Sequence, residues 1–307
     1  MSELDLSVVI TTFNRSRLVG RAIQSVLDQN WPTLELMVVD DASSDDTLEV
    51  IRNSFPCVRY LRRESNRGVG AARNLALRRA SRPWVLFLDD DDTLYPNALT
   101  CLAMQIATFP DAERYPVLQF ACSNGHINSQ FMVVTMADYI TGRIVGDFVP
   151  LIRREYFQAE GLAYPEFRVP GERLLWWKVA DKHGIPTWAD KIVDVHNDAA
   201  LRVTTARYQL LHAREFAEVQ EYALNEFGDV LASKFPAYYR KGCLGAATYR
   251  LLANQRAIAR FHLQLAVRKG MAGSVLALWA LSYLPLAFVR RCFETYRKRA
   301  ERVNASM

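Results

Sequence analysis

The chain has 307 residues, half of them apolar and 23% charged, which are the values of a globular protein with a sizeable core and exclude a disordered or collagen-like chain. Most of the net charge of +5 lies at the end, where Arg290, Arg291, Arg297, Lys298, Arg299 and Arg302 face only Glu294 and Glu301, so the bulk reads as near neutral and no nucleic-acid partner is expected. Five scattered cysteines without a CxxC pair exclude a disulfide framework and a zinc knuckle, and the acidic start MSELDLSVVI lacks the basic residues of a signal peptide, so a cytoplasmic protein is predicted.

LSVVITT (6–12) is a β-branched run that reads as a buried strand. An amphipathic helix follows over about 17–29, with Leu18, Ala22, Val26 and Gln29 at helical spacing. LELMVVD (34–40) is the second strand and ends in the turn-rich DASSDD, where Asp45 or Asp46 is placed to cap a helix over 47–53. CVRYLRR (57–63) is a third strand, GVGAARNLALRRA (68–80) a helix, and WVLFLD (84–89) a fourth strand. Between Tyr115 and Thr135, VLQFACS and QFMVVT look extended and antiparallel. A helix is expected from Glu172 to His183, then a strand-like IPTWADKIVDVH, and beyond Thr205 the pattern turns helical. These elements predict an α/β domain over 1–204, with a mostly parallel sheet and helices on both faces, and a helical region over 205–307.

In such sheets ligands bind outside the carboxyl ends of the strands. Thr11 to Asn14, Asp40 and Asp41, Asn66 and Arg67, and Asp89 to Asp92 all fall at those ends. Four consecutive aspartates repel one another unless water or a cation lies among them. A carboxylate cluster suits Mg²⁺ or Mn²⁺, which take oxygen ligands and share them with substrate phosphates. A solvated acidic loop is the plainer alternative. Two chemistries fit the tract. Read as DxDxTL, it is similar to the nucleophile motif of haloacid-dehalogenase-type phosphatases, with Asp89 and Asp91 as the acting pair. That motif usually ends the first strand, however, and here it ends the fourth.

The other reading uses the upstream motifs. SVVITTFNR, VVDDASSDDT, NRGVGAARNLAL and LFLDDDDTLYP, in this order across residues 7–96, closely resemble the family 2 glycosyltransferases of GT-A fold. The resemblance is strong over the first hundred residues and loose to about 200. It implies a nucleotide pocket lined by Thr11 and Phe13, with Asp41 accepting from the base and Arg73 approaching the donor. Asp89 and Asp90 would face the ribose and diphosphate, and Asp91 would hold Mn²⁺ or Mg²⁺. Phe13 as a core residue and Asp40 as a helix-cap or turn residue remain alternatives. GVGAAR looks like a dinucleotide-binding loop but follows the third strand and has Arg73 at the third glycine, so no nicotinamide cofactor is expected.

Inverting transfer needs a base near the acceptor hydroxyl. In the family this is usually the aspartate of a Glu-Asp pair opening a helix; here GERLLWWKVADKHG carries Glu172-Arg173, and arginine cannot act as a base. Glu172 is the candidate, with a helix N-terminal charge as its plain alternative. His196, in VDVHNDAALRVTT, follows a strand where related enzymes close a segment over the donor, and joins Asp91 as a candidate metal ligand; a surface histidine is the commoner explanation. Arg202 is a candidate diphosphate contact.

MAGSVLALWALSYLPLAFV (271–289) contains no charged residue. At ~1.5 Å per residue its nineteen residues only just cross a ~30 Å hydrocarbon core. Arg268, Lys269, Arg290 and Arg291 flank it, which suits an interfacial segment better than a span; a buried helix is the alternative. The sequence thus reads as an inverting transferase that moves a sugar from a nucleotide-sugar, a UDP-sugar by the resemblance, to an acceptor hydroxyl. A lipid-linked oligosaccharide at the inner face of the cell membrane, in surface polysaccharide assembly, is the expected acceptor. The phosphatase and a non-catalytic membrane adaptor are the alternatives, the latter resting on Arg173.

Overall fold

The computed structural model describes residues 4–198, 205–270 and 272–304. The chain divides into two compact units between Ala199 and Ala200, inside a segment outside the described residues that also contains the expected boundary near 204.

The first unit runs β1 (Leu6–Thr12), α1 (Val19–Leu27), β2 (Leu34–Asp40), α2 (Thr47–Ser54), β3 (Arg59–Arg62), α3 (Val69–Arg79), β4 (Trp84–Asp89), β5 (Thr93–Leu94) and α4 (Ala98–Thr108). It continues with β6 (Val117–Cys122), β7 (His126–Ile127), β8 (Phe131–Val134), α5 (Met136–Thr141), β9 (Ile144–Val145), β10 (Phe148–Arg153), α6 (Arg154–Ala159), α7 (Arg173–Lys182) and β11 (Ile185–Asp194). The main sheet has the order β3-β2-β1-β4-β10-β6-β11-β5, with β8 also pairing β11. β3, β2, β1 and β4 are parallel; β10 runs against both β4 and β6, and β11 is again parallel to β6. The two extended pieces at 115–135 are therefore not partners of each other: β6 lies between β10 and β11, and β8 pairs with β11.

Alternation along the parallel strands sends side chains to opposite faces. Val8 and Ile10 of β1 join Leu86 and Leu88 of β4 against Ile23 and Val26 of α1 and Leu99 and Leu102 of α4. Val9, Met37, Val39 and Phe87 pack on the other face against Ala72 and Ala76 of α3 and Leu175 and Trp176 of α7. Burial on both faces explains why these strands read as continuous apolar runs.

The second unit is helical: α8 (Ala206–Leu211), α9 (Ala213–Lys234), α10 (Pro236–Leu252), α11 (Arg256–Val267), α12 (Gly273–Leu281) and α13 (Leu286–Asn304). The uncharged run 271–289 is not one helix. Pro285, which has no N–H to donate, separates α12 from α13, and no helix among the described residues is long and apolar enough to cross a membrane.

Candidate active site

The strand ends form one continuous edge, and much of its sequence signal is internal bracing. Asn14 adopts the left-handed region at φ 53°, which asparagine tolerates. Its N–H donates to Ser43 Oγ (2.8 Å), and its Oδ1 accepts from the Ser44 N–H (2.7 Å). The Ser16 N–H donates to Asp45 Oδ2 (3.0 Å), while Asp45 Oδ1 takes the Thr47 hydroxyl. FNR and DASSDD are thereby stitched together ahead of α2.

Asp40 is a turn residue. Its buried carboxylate accepts from the Ser43 N–H (2.8 Å) and from the Tyr60 hydroxyl, whose pKa is pushed up by burial and by this aspartate. Asp41, also buried, accepts from the Gly68 N–H (2.7 Å), the Arg67 N–H (3.2 Å) and the Arg63 guanidinium. Gly68 sits at φ 92°, and a Cβ there would strike the Phe167 carbonyl; one at Gly70 would strike the Pro165 carbonyl. The glycines of NRGVG thus serve close backbone packing.

The four aspartates alternate. Asp89, at the end of β4, is half exposed and takes Arg73 Nη2 at 2.6 Å. Asp90 is buried and accepts from the Thr12 hydroxyl at 2.7 Å; burial pushes its carboxyl up to about 7. Asp91 is 23% exposed and pairs with Arg15 Nη1 at 3.1 Å, while its carbonyl accepts from Arg21 Nη2 at 2.5 Å. Asp92 is buried and accepts from the His196 N–H at 3.0 Å; burial raises it to about 7 as well. Two carboxylates therefore face arginines at the edge, and two turn inward to hydroxyl and amide donors. That division relieves the repulsion within the tract.

Thr11 is buried in register with Asp89, and Phe13 is 41% exposed, so it belongs to the edge and not to the core. Arg73 is nearly buried, with its guanidinium 5.7 Å from the Phe87 ring centre and 5.4 Å from that of Tyr164. Asn74 straps the same region: its amide donates to the Tyr164 carbonyl and accepts from the Tyr164 N–H, both at 2.9 Å. Glu172 immediately precedes α7 and accepts from the Gly171 N–H at 3.1 Å. It lines a tight cleft with Arg73, Tyr164, Gly70 and Phe167, and both it and Asp89 act electrostatically on Arg73. Arg173 lies over the Trp177 ring at 5.6 Å. His196 meets the Thr93 hydroxyl through Nε2 at 3.0 Å, with Asp194 Oδ2 at 3.9 Å. Arg202 lies outside the described residues.

Sequence reasoning missed Arg15, Arg21 and Tyr164. Arg15 and Arg21 follow the first strand at positions with no charge periodicity to single them out, and Tyr164 reaches Arg73 from 91 residues away.

Asp89 and Asp91 offer hard oxygen donors of the kind Mg²⁺ and Mn²⁺ take. Among the described residues no three His, Cys, Asp or Glu side chains converge to hold an ion by themselves. The donor set therefore fits a cation shared with phosphate oxygens and water, which is how such ions are commonly held.

A sheet of this order, with a charged edge at the carboxyl ends of β1 to β4, is the GT-A architecture. Residues 7–123 match the family described as "Glycosyl transferase family 2". That match spans the strand ends from β1 to β4 and the aspartate tract of the first unit. The chain is 31% identical over 186 residues to a GalNAc(5)-diNAcBac-PP-undecaprenol beta-1,3-glucosyltransferase of Campylobacter jejuni, a match covering 56% of this chain and 58% of that one. It is 36% identical over 100 residues to a UDP-Glc:alpha-D-GlcNAc-diphosphoundecaprenol beta-1,3-glucosyltransferase of Escherichia coli, covering 32% and 40%. The chain thus spans between about two fifths and three fifths of these relatives' lengths. Among solved structures, S. aureus TarS 1-349 in complex with UDP-GlcNAc has a TM-score of 0.57 at 18% identity, covering 96% of this chain and 92% of that one. The mannosyltransferase PcManGT from Pyrobaculum calidifontis, in complex with GDP-Man and Mn²⁺, has a TM-score of 0.53 at 19% identity, covering 96% and 84%. The phosphatase reading of DxDxTL finds no support in these comparisons.

Proposed function

We propose that this chain is an inverting glycosyltransferase. It would move a sugar from a nucleotide-sugar, most simply a UDP-sugar, to a hydroxyl of a saccharide acceptor carried on a lipid diphosphate. The observation that carries the reading is the single edge formed by β1, β2, β4 and the loop before α3, where Asp89 and Asp91 face outward on Arg73 and Arg15. Two relatives named for undecaprenol-linked substrates, and a structural neighbour crystallised with UDP-GlcNAc, support the donor and acceptor classes.

In this reading Thr11, Phe13 and Asp41 border the nucleotide, Asp41 by bracing the loop at Gly68. Asp89 faces the ribose and diphosphate, and Asp90, expected beside it, supports the edge from behind on the Thr12 hydroxyl. Asp91, with His196 as the second candidate, would hold Mn²⁺ or Mg²⁺. The bound cation would offset the negative charge that grows on the departing diphosphate. Glu172 takes the proton of the acceptor hydroxyl as its oxygen attacks the anomeric carbon and the bond to the diphosphate breaks on the opposite face. Arg73, held between Asp89 and Glu172 by its two aromatic neighbours, keeps the donor and acceptor sides in a fixed relation. The chain would work at the inner face of the cell membrane, touching it through the C-terminal region, in the assembly of a surface polysaccharide.

The test is nucleoside diphosphate release from a panel of UDP-sugars with Mn²⁺ and a lipid-linked saccharide. Asp91→Asn should lower Mn²⁺ affinity measured directly on the protein with UDP present. Absence of both turnover and binding with every nucleotide-sugar would overturn the reading.

A further inference from the structure

The charge of the chain is far more segregated than its net value suggests. Residues 230–307 contain fourteen Lys or Arg and two Asp or Glu, a net of +12, which leaves −7 for residues 1–229. No acidic residue occurs between Asp229 and Glu294. The basic region is thus much longer than the tail alone.

Within it, an apolar surface stands in water. Gly273, Leu276, Ala277, Ala280 and Leu284 follow one another at helical spacing and all are exposed, as are Tyr283, Pro285, Ala287 and Phe288 beyond the end of α12. Leu276 is 59% exposed, Tyr283 61% and Phe288 50%. Exposed large apolar side chains are unremarkable singly but informative when contiguous. The opposite side of the same segment is well anchored: Val275, Ser282 and Val289 are buried, and Leu278 and Leu281 pack on the cluster of Leu251, Leu252 and Ala259.

Two arginines of α11 fasten the turn. Arg260 donates to Ser282 Oγ (3.1 Å) and to the Ser282 carbonyl (3.2 Å), and its guanidinium lies 4.2 Å from the Tyr283 ring centre. Arg256 donates to the Leu284 carbonyl at 2.8 Å. The apolar tip is therefore presented on a polar clamp, with Arg268, Lys269, Arg290, Arg291, Lys298 and Arg299 exposed around it in the sequence.

We infer that the α12–α13 turn is a membrane-docking tip for an anionic lipid surface. It deepens the proposed function by naming the surface through which a lipid-linked acceptor is met. An apolar insertion with a basic surround is the pattern that binds anionic interfaces, with each basic residue adding electrostatic attraction and each buried apolar group adding transfer free energy. A second copy of this chain is a poor occupant, because the same face would bring two strongly basic regions together. A nucleic acid would use the charge and leave the apolar side chains without a role.

The experiment is flotation of the full chain with vesicles of phosphatidylcholine alone or mixed with phosphatidylglycerol, at low and high salt. Binding is expected to the mixed vesicles, weakened at least several-fold by high salt. Leu284→Ser with Phe288→Ser should reduce partitioning about ten-fold or more, and Arg290→Glu with Arg291→Glu by a comparable factor. An unchanged far-ultraviolet circular dichroism spectrum and urea unfolding midpoint would certify the fold of the helical unit in these variants. Equal binding to neutral and anionic vesicles, or none to either, overturns the inference. A dimer that the apolar variant dissociates, or polyanion binding that it leaves intact while vesicles fail to bind, overturns it too. Transfer to a water-soluble acceptor would survive any of these failures, so the docking surface and the transferase reading fail separately.

Discussion

Arg15 is the internal counter-ion of Asp91, and its removal gives a sharp test of the edge. A divalent cation on Asp91 would compete with Arg15, whose Nη1 holds one carboxylate oxygen at 3.1 Å and whose positive charge opposes it. With both side chains about one quarter exposed, the pair falls near the upper end of measured surface ion pairs, about 1 kcal/mol. Arg15→Ala should therefore raise the affinity of the nucleotide-free protein for Mn²⁺ by about five-fold, since 1.4 kcal/mol corresponds to a factor of ten. Once displaced, the guanidinium stands beside the edge where the diphosphate would lie. A charge-assisted hydrogen bond is worth about 1.5 to 3 kcal/mol, so the same variant should bind UDP about ten- to a hundred-fold more weakly. Titration of Mn²⁺ by electron paramagnetic resonance and of UDP by calorimetry gives the two constants. Opposite movements of the two affinities are expected. A fall in both, or no change in either, would refute the exchange of partners at Asp91.

Glu172→Gln should abolish transfer while leaving UDP affinity within about two-fold, because the loss of a base costs the chemical step and not donor binding; transfer that persists in a coupled assay removes Glu172 as the base. In the helical unit, Glu221 accepts from Arg250 Nε (2.7 Å), from Arg250 Nη2 and from His262 Nε2 (2.8 Å), with Arg250 and His262 buried. Breaking such a pair from one side costs about 3 to 5 kcal/mol, so urea unfolding of Glu221→Gln should register a loss of this order at pH 7. Burial alone would raise the Glu221 carboxyl, but Arg250 and His262 outweigh it and hold the group below the ordinary glutamate value. Its stabilisation is therefore full above that ordinary value and disappears as pH falls through the depressed one. The gap between variant and wild type should close in acid, and a gap that stays constant from pH 7 to pH 3 would contradict this.

β1, β2 and β4 were legible because burial on both faces makes each an almost continuous apolar run, unlike the edge strand β3, whose Arg59 and Arg62 are exposed; the convergence of the strand ends followed from the alternation with helices. What the residues at those ends do was less legible. Asp40 and Asp41 stand side by side, yet one closes a turn with Ser43 and Tyr60 while the other braces Arg67 and Gly68. Ser43 is local to Asp40, but Tyr60, Arg63, Arg67 and Gly68, which complete the difference, lie about twenty to thirty residues away. The same holds for the aspartate tract, whose alternation between outward and inward carboxylates depends on Arg73 and Arg15 on one side and on Thr12 and the His196 amide on the other. The charge-free run 271–289 misled in another way: hydropathy treats it as a unit, but Pro285 and the arginine clamp from α11 make it a bent tip.

The Asn14–Ser44 and Asn74–Tyr164 straps have a practical consequence for anyone screening variants of this chain. Both asparagines are prominent letters of their motifs, yet their side-chain amides are spent on other parts of the same protein. A substitution at either would slacken a loop and could silence turnover as completely as loss of a reacting group. Rate alone would then misassign a brace as a reagent. Protection of the Ser44 and Tyr164 amides against hydrogen exchange, which these straps control, would separate the two kinds of inactive protein.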